Sequence, residues 1–154
     1  MNKTIIWWGK GDVNYSRNRI IRQQLVKLGH HIVDFSPSIS ALGDIQAAFS
    51  KLTKKADYIW IPCFRQRDFE AAYRYSSHHN IPIIFDPLIS AYDKQVYERK
   101  KLNKKSRKAH QLRYCENYMM SQSEHIIADT AAHRDFFVKE LGAQADKITI
   151  IPVS

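Results

Sequence analysis

The strongest constraint in this sequence is a rhythm. Six short runs rich in β-branched and aromatic residues recur along it: TIIWW (Thr4 to Trp8), HIVDF (His31 to Phe35), YIWIP (Tyr58 to Pro62), PIIF (Pro82 to Phe85), HIIA (His125 to Ala128) and ITII (Ile148 to Ile151). Each is a mainly apolar stretch of strand length, which predicts a strand buried on both faces. Between the runs, apolar residues return at helical spacing. Ile21, Leu25 and Leu28 follow Ser16, a candidate N-cap, and precede Gly29, which suits the left-handed conformation that stops a helix. Ala109, Leu112, Cys115 or Glu116, and Met119 repeat the period before HIIA, and Ala132, Phe136, Phe137 and Leu141 repeat it before Gly142. Strand and helix in alternation predict an α/β fold: a Rossmann-like parallel six-stranded sheet with helices on both faces, joined by right-handed crossovers. A length of 154 residues, 44% of them hydrophobic, suits one such domain over 1–154.

Open parallel sheets bind ligands beyond the carboxyl ends of their strands. That rule selects four loops: Gly9 to Ser16, Phe64 to Asp68, Asp86 to Asp93 and Asp129 to His133. The first, in WWGKGDVNYSRNR, offers Gly9 and Gly11 after an apolar run, as a dinucleotide fingerprint does, but Asn14 stands where the third glycine belongs. The segment DVNYSRNR also moves the helix start to about Ser16, too far on for a pyrophosphate to meet the helix N-terminus. A structural turn and an anion-binding loop using backbone N–H groups with Tyr15, Arg17 and Arg19 both stay open. In CFRQRDF, Asp68 reads as the cap of the next helix, while Arg65 and Arg67 can reach phosphate or carboxylate groups. In FDPLISAYD, Asp86 is either a turn residue or a carboxylate facing the cleft.

Charge is uneven. The net charge is +9, and the segment Lys94 to Arg113 holds nine lysines and arginines against one acidic residue, Glu98. Such a segment is either a solvated face with a flexible stretch from Glu98 to Lys108, or a site for an anionic partner such as a lipid surface. Tyr97 and Tyr114 alone interleave aromatics with it, so stacking platforms for nucleic acid are few and that partner is not expected. Cys63 and Cys115 have no paired spacing, which predicts two buried free thiols and no metal site. The apolar runs are far shorter than the roughly 20 residues of a membrane span. The opening MNKTIIWWGKG lacks the apolar core of a signal peptide, so the chain reads as cytoplasmic.

Several stretches together, YSRNRIIRQQLVKLGHHIVDF, IPCFRQRDFEAA, FDPLISAYD, ADTAAHRDFF and ITIIPV, resemble in order and spacing the N-terminal half of bacterial group 1 glycosyltransferases of the GT-B fold. The resemblance implies one half of a GT-B enzyme, the acceptor-side domain. The C-terminal donor-binding domain lies outside these residues, in a continuation or a partner chain, and this half alone is not expected to be active. The nucleotide sugar is the donor of the whole enzyme, and the domain itself holds no cofactor. It also implies a sugar or lipid-linked acceptor, Asp86 in the cleft near the reacting sugar, and the loop of Gly9 and Gly11 beside the diphosphate or the acceptor. Tyr92 and Asp93 would shape the acceptor loop, and Asp129 and Thr130 would border the cleft. Transfer with retention would rest on positioning, with no dedicated protein base. A cationic flank would dock on anionic lipid at the inner membrane face. Two other readings remain: a basic, non-catalytic module binding membrane or nucleic acid, and a dinucleotide-dependent oxidoreductase domain.

Overall fold

The computed structural model describes residues 2–9, 13–50, 52 and 55–152. The six apolar runs become strands β1 (Thr4–Trp8), β2 (His31–Phe35), β3 (Tyr58–Ile61), β4 (Ile83–Phe85), β5 (His125–Ala128) and β6 (Ile148–Ile150). They form one sheet in the order β2-β1-β3-β4-β5-β6, with every neighbouring pair parallel. Strand order reverses between β1 and β3, the switch point of a doubly wound sheet. Among the described residues six α-helices lie between the strands: α1 (Ser16–Lys27), α2 (Gly43–Ala48), α3 (Phe69–His79), the single turn α4 (Ala91–Asp93), α5 (Arg107–Gln122) and α6 (Ala131–Lys139).

The helices divide unequally between the two faces. Ile21 and Leu25 of α1 pack on Ile5, Trp7, Trp60 and Ile127, where the indoles of Trp7 and Trp60 stack with centroids 5.6 Å apart. The opposite face is a larger core in which Ala47 of α2, Phe69 and Tyr75 of α3, Ala109 and Met120 of α5, and Phe137 of α6 meet Ile6, Trp8, Ile59, Phe85 and Ile126. Right-handed crossovers require this division. Only the β1-to-β2 step runs toward that edge of the sheet, so its helix alone lies on that face.

The α1 stop is as expected: Gly29 adopts φ 91°, and the N–H groups of His30 and Gly29 bond to the carbonyls of Leu25 and Val26. Other details differ from the sequence reading. Ser16 is the first helical residue and Tyr15 holds the cap position, where it makes no side-chain cap bond. Leu28 lies past the last helical turn and is exposed, as is Cys115, whose place on the buried face of α5 is taken by Glu116. The stretch from Glu98 to Lys108 is tied down. The N–H groups of Lys101 and Leu102 bond to the Gln95 carbonyl, Leu102 packs on the core, and Ser106 caps α5 by accepting from the Ala109 N–H at 3.2 Å.

Candidate functional site

With all strands parallel, the four loops gather at one edge of the sheet. Two of them contain non-glycine residues at positive φ, Phe64 at 66° after β3 and Leu88 at 59° after β4, and such strain is common in loops that hold a fixed shape for a ligand.

At the β1/β3 switch point, Gly9 has φ 127° and its N–H bonds to the Phe35 carbonyl. A Cβ there would come within 3.0 Å of both Arg65 Cγ and Asp68 Oδ2. Glycine is therefore required by conformation and by the approach of the Arg65–Asp68 pair, whose Nε donates to Oδ2 at 2.6 Å. Asp68 is fully buried, makes no side-chain cap bond to α3, and leaves Oδ1 without a hydrogen-bond partner. The capping role expected of it gives way to holding Arg65. Arg67 is exposed and lines a cavity of about 400 Å³ with Phe64, Ile89 and Lys94. Tyr15 packs edge-on against Phe64 at 5.4 Å, and Arg19 is exposed on the first turn of α1. Gly11 lies outside the described residues.

Arg17 and Asp86, 69 positions apart, meet in the interior. The Arg17 Nε donates to Asp86 Oδ2 at 2.9 Å, one Nη donates to Oδ1 at 2.9 Å, and the other donates to the Ile151 carbonyl at 2.7 Å. Both side chains are buried, so the arginine expected to reach an external anion is engaged by an internal one. Burial raises the Asp86 carboxyl above its ordinary value; the Arg17 guanidinium opposes that, and the charge of Asp129 adds to it. Beside this pair the Cys63 thiol donates to Asn18 Oδ1 at 3.3 Å. Its pKa is pushed up to about 11, chiefly by burial and then by the Asp86 charge.

Sequence spacing left Glu116 as one of two choices on an apolar stripe, and the structure gives it a definite task. Its carboxylate accepts from Ser90 Oγ at 2.5 Å and from the N–H groups of Ala91 at 2.5 Å and Tyr92 at 3.3 Å. It thereby fixes the loop that ends at Asp93. Burial raises this carboxyl, and those hydrogen bonds oppose the rise. A charged residue in the apolar period was the signal. Tyr92 faces the core, against Tyr97, and supports the loop from beneath. Asp93 follows it half-buried, its carboxyl raised by burial and lowered by the nearby His133.

On the next strand end, Asp129 is bonded through Oδ1 to Nδ1 of His133, and Thr130 caps α6 by accepting from the His133 N–H at 3.1 Å. His133 enters the sequence reading only as the end of a loop, although its spacing of four from Asp129 is the interval at which helical side chains meet. The structure thus brings Arg17, Asp86, Asp93, Asp129, Thr130 and His133 to adjoining strand ends, with Gly9 and Arg65 at the switch point. Among the described residues no group of three or more His, Cys, Asp or Glu is placed to hold a metal ion. Nor is any helix among them long and apolar enough to cross a membrane.

No family model matches the sequence, and no curated protein matches it. Solved structures do resemble the fold. Anabaena HepE in complex with UDP and glucose aligns with 99% of this chain at TM-score 0.56 and 14% identity, and the chain covers 44% of that structure. The HepE complex with UDP aligns with 99% of this chain and is covered to 44%, at TM-score 0.54 and 13% identity. Glycerol dehydrogenase from Schizosaccharomyces pombe aligns with 56% of this chain and is covered to 22%, at TM-score 0.45 and 14% identity. The chain spans less than half the length of each of these structures. The fold is a Rossmann-like α/β domain, a six-stranded parallel sheet with helices on both faces, and nearly all of it aligns with part of the HepE structure.

Proposed function

We propose that this chain is the acceptor-side half of a retaining glycosyltransferase of the bacterial group 1 kind, which uses a nucleotide sugar and acts on a polysaccharide or lipid-linked acceptor. The observation that supports it most is the alignment of nearly the whole chain with part of a protein solved with UDP and glucose. In this reading the donor-binding half comes from a C-terminal domain or a partner chain, and this domain binds no cofactor of its own. The switch-point loop with Gly9, Gly11, Tyr15, Arg19, Arg65 and Arg67 faces the diphosphate or the acceptor. Asp93, Asp129 and Thr130 line the cleft where the acceptor lies, with Tyr92 shaping its loop and Asp86 beneath it, buried against Arg17 and not at the reacting sugar. Isothermal titration of the complete gene product with UDP, GDP and NAD tests the reading. Binding of a uridine or guanosine diphosphate is expected where both halves are present, in one chain or with the partner chain added, and binding of NAD alone, or of none of the three by both halves together, would overturn it.

The basic segment supplies the second part of the proposal. It spans the turn after α4 and the first two turns of α5, and apart from half-buried Lys94 its lysines and arginines are exposed. Each contributes about 1 kcal/mol near an anionic lipid surface and loses it to screening by salt. The domain then works at the cytoplasmic face of the inner membrane. Sedimentation with anionic vesicles at low salt, reversed at high salt, is expected, and equal sedimentation with neutral vesicles would refute the docking.

A further inference from the structure

The side chains of Arg67 and Lys94 join no ion pair and no hydrogen bond among the described residues, yet both line the cavity of about 400 Å³ beside the loops after β3 and β4. The other walls are largely apolar, with Phe64, Ile89, Leu112 and Met119. Phe64 presents a ring that is 49% exposed from a backbone at φ 66°, a strained geometry of the kind found where loops hold a ligand. The acidic residue that lines the cavity, Glu116, has its carboxylate engaged by Ser90 and the N–H groups of Ala91 and Tyr92. The two cations therefore meet no free carboxylate there.

The cavity continues between α3 and α5. A second one, of about 380 Å³, shares Gln66, Cys115 and Met119 with it and is walled by the rings of Phe69, Tyr114 and Tyr118. Glu70, which lines this second part, pairs with the Arg74 guanidinium at 3.7 Å. Arg67 and Lys94 line the first part alone, so the groove has charge at one end and apolar or aromatic walls along the rest. A purely polar ligand gains nothing from those walls, and a purely apolar one covers two cations without pairing them. A phosphate monoester carries about −1.5 to −2 charge at neutral pH, which matches two cations, and an arginine fork can hold two of its oxygens.

We propose that this groove binds an alkyl phosphate, with Arg67 and Lys94 donating to the phosphate and the hydrocarbon chain running past Met119 toward Phe69 and Tyr118. The choice of an anionic amphiphile rests on the groove alone. Its identity as the lipid phosphate of a lipid-linked acceptor rests on the acceptor-side reading. The positive segment from Lys94 to Arg113, which begins at the groove, favours the approach of such an anion.

Methyl NMR of the isotope-labelled chain, titrated separately with octyl phosphate, octyl glucoside, octanoate and inorganic phosphate below any micelle concentration, tests it. Octyl phosphate is expected to give saturable shifts at the Ile89 and Met119 methyls and to bind about tenfold more tightly there than each of the others. Arg67→Ala and Lys94→Ala, at an exposed and a half-buried position, are expected to keep the folded spectrum and each weaken that binding about tenfold, the worth of one charge-assisted hydrogen bond. Octyl glucoside or octanoate bound as tightly would overturn the phosphate assignment, and inorganic phosphate bound as tightly would overturn the part given to the apolar walls. Unweakened binding in either variant, or no shift with any of the four, would overturn the site. Such a failure with UDP or GDP still bound by both halves together would leave the acceptor-side reading standing. Octyl phosphate bound where neither nucleotide binds would keep the groove and remove the acceptor from it.

Discussion

Two pairs of opposite chemical character stand at the carboxyl ends of neighbouring strands and are built in contrary ways. Arg17 and Asp86 are buried together, and their guanidinium and carboxylate exchange three hydrogen bonds while a backbone carbonyl takes a fourth. Asp129 and His133 share one bond and leave a ring edge in solvent. The first pair has no capacity left for a ligand without breaking what it has. The second is oriented by the protein and unfinished by it. Polar groups at the edge of a parallel sheet thus divide into those that anchor the loops and those that face solvent, and proximity to the strand ends does not decide which is which.

The largest consequence of that difference is in stability. Arg17→Met leaves the Asp86 carboxylate buried without a partner and is expected to cost about 3–5 kcal/mol, whereas removing both charges in Arg17→Met/Asp86→Leu restores most of it. Asp129→Asn, at the open pair, is expected to cost less than about 1 kcal/mol. Urea unfolding of the three chains checks the contrast. Equal losses for Arg17→Met and Asp129→Asn would erase the distinction between anchoring and open pairs.

The strands were legible because each is a near-continuous apolar run, and the helix stop at Gly29 because its conformation is local. Strand order was not, since it depends on which crossovers pass over β1. The same limit applies to the site. Arg17 reads as an anion-binding residue from its place after a glycine loop, and no local pattern reveals that Asp86, 69 residues on, supplies the anion. Gly9 was legible as a special backbone position, but the Arg65–Asp68 pair that needs its missing Cβ belongs to another loop. Asp129 and Thr130 were placed at the sheet edge by their position after a strand, and the structure puts them there. His133 was legible in principle, four residues from Asp129, but only once the helix start at Ala131 is known.

The smaller consequence concerns the two thiols. Cys63 is 1% exposed, shares the buried cluster with Arg17, Asn18 and Asp86, and has its pKa pushed up to about 11; Cys115 is exposed on α5. At neutral pH a maleimide is expected to label Cys115 rapidly and Cys63 only on unfolding, because a protonated, inaccessible sulfur is a poor nucleophile. The same burial sets a pH dependence whose sign is fixed. Below the ordinary thiol pKa of about 8.5 both folded and unfolded chains keep the proton, and the group does not alter stability. Above it the unfolded chain ionises while the fold holds the proton, so stability falls as pH rises through the folded value, by roughly 2 to 3 kcal/mol at pH 11. Cys63→Ala removes the thiol, so its urea midpoint is expected to fall less steeply over that range than that of the parent chain. An equal fall in both chains, or labelling of Cys63 as fast as that of Cys115, would place the Arg17–Asp86 neighbourhood in contact with water and undo its contrast with the open pair.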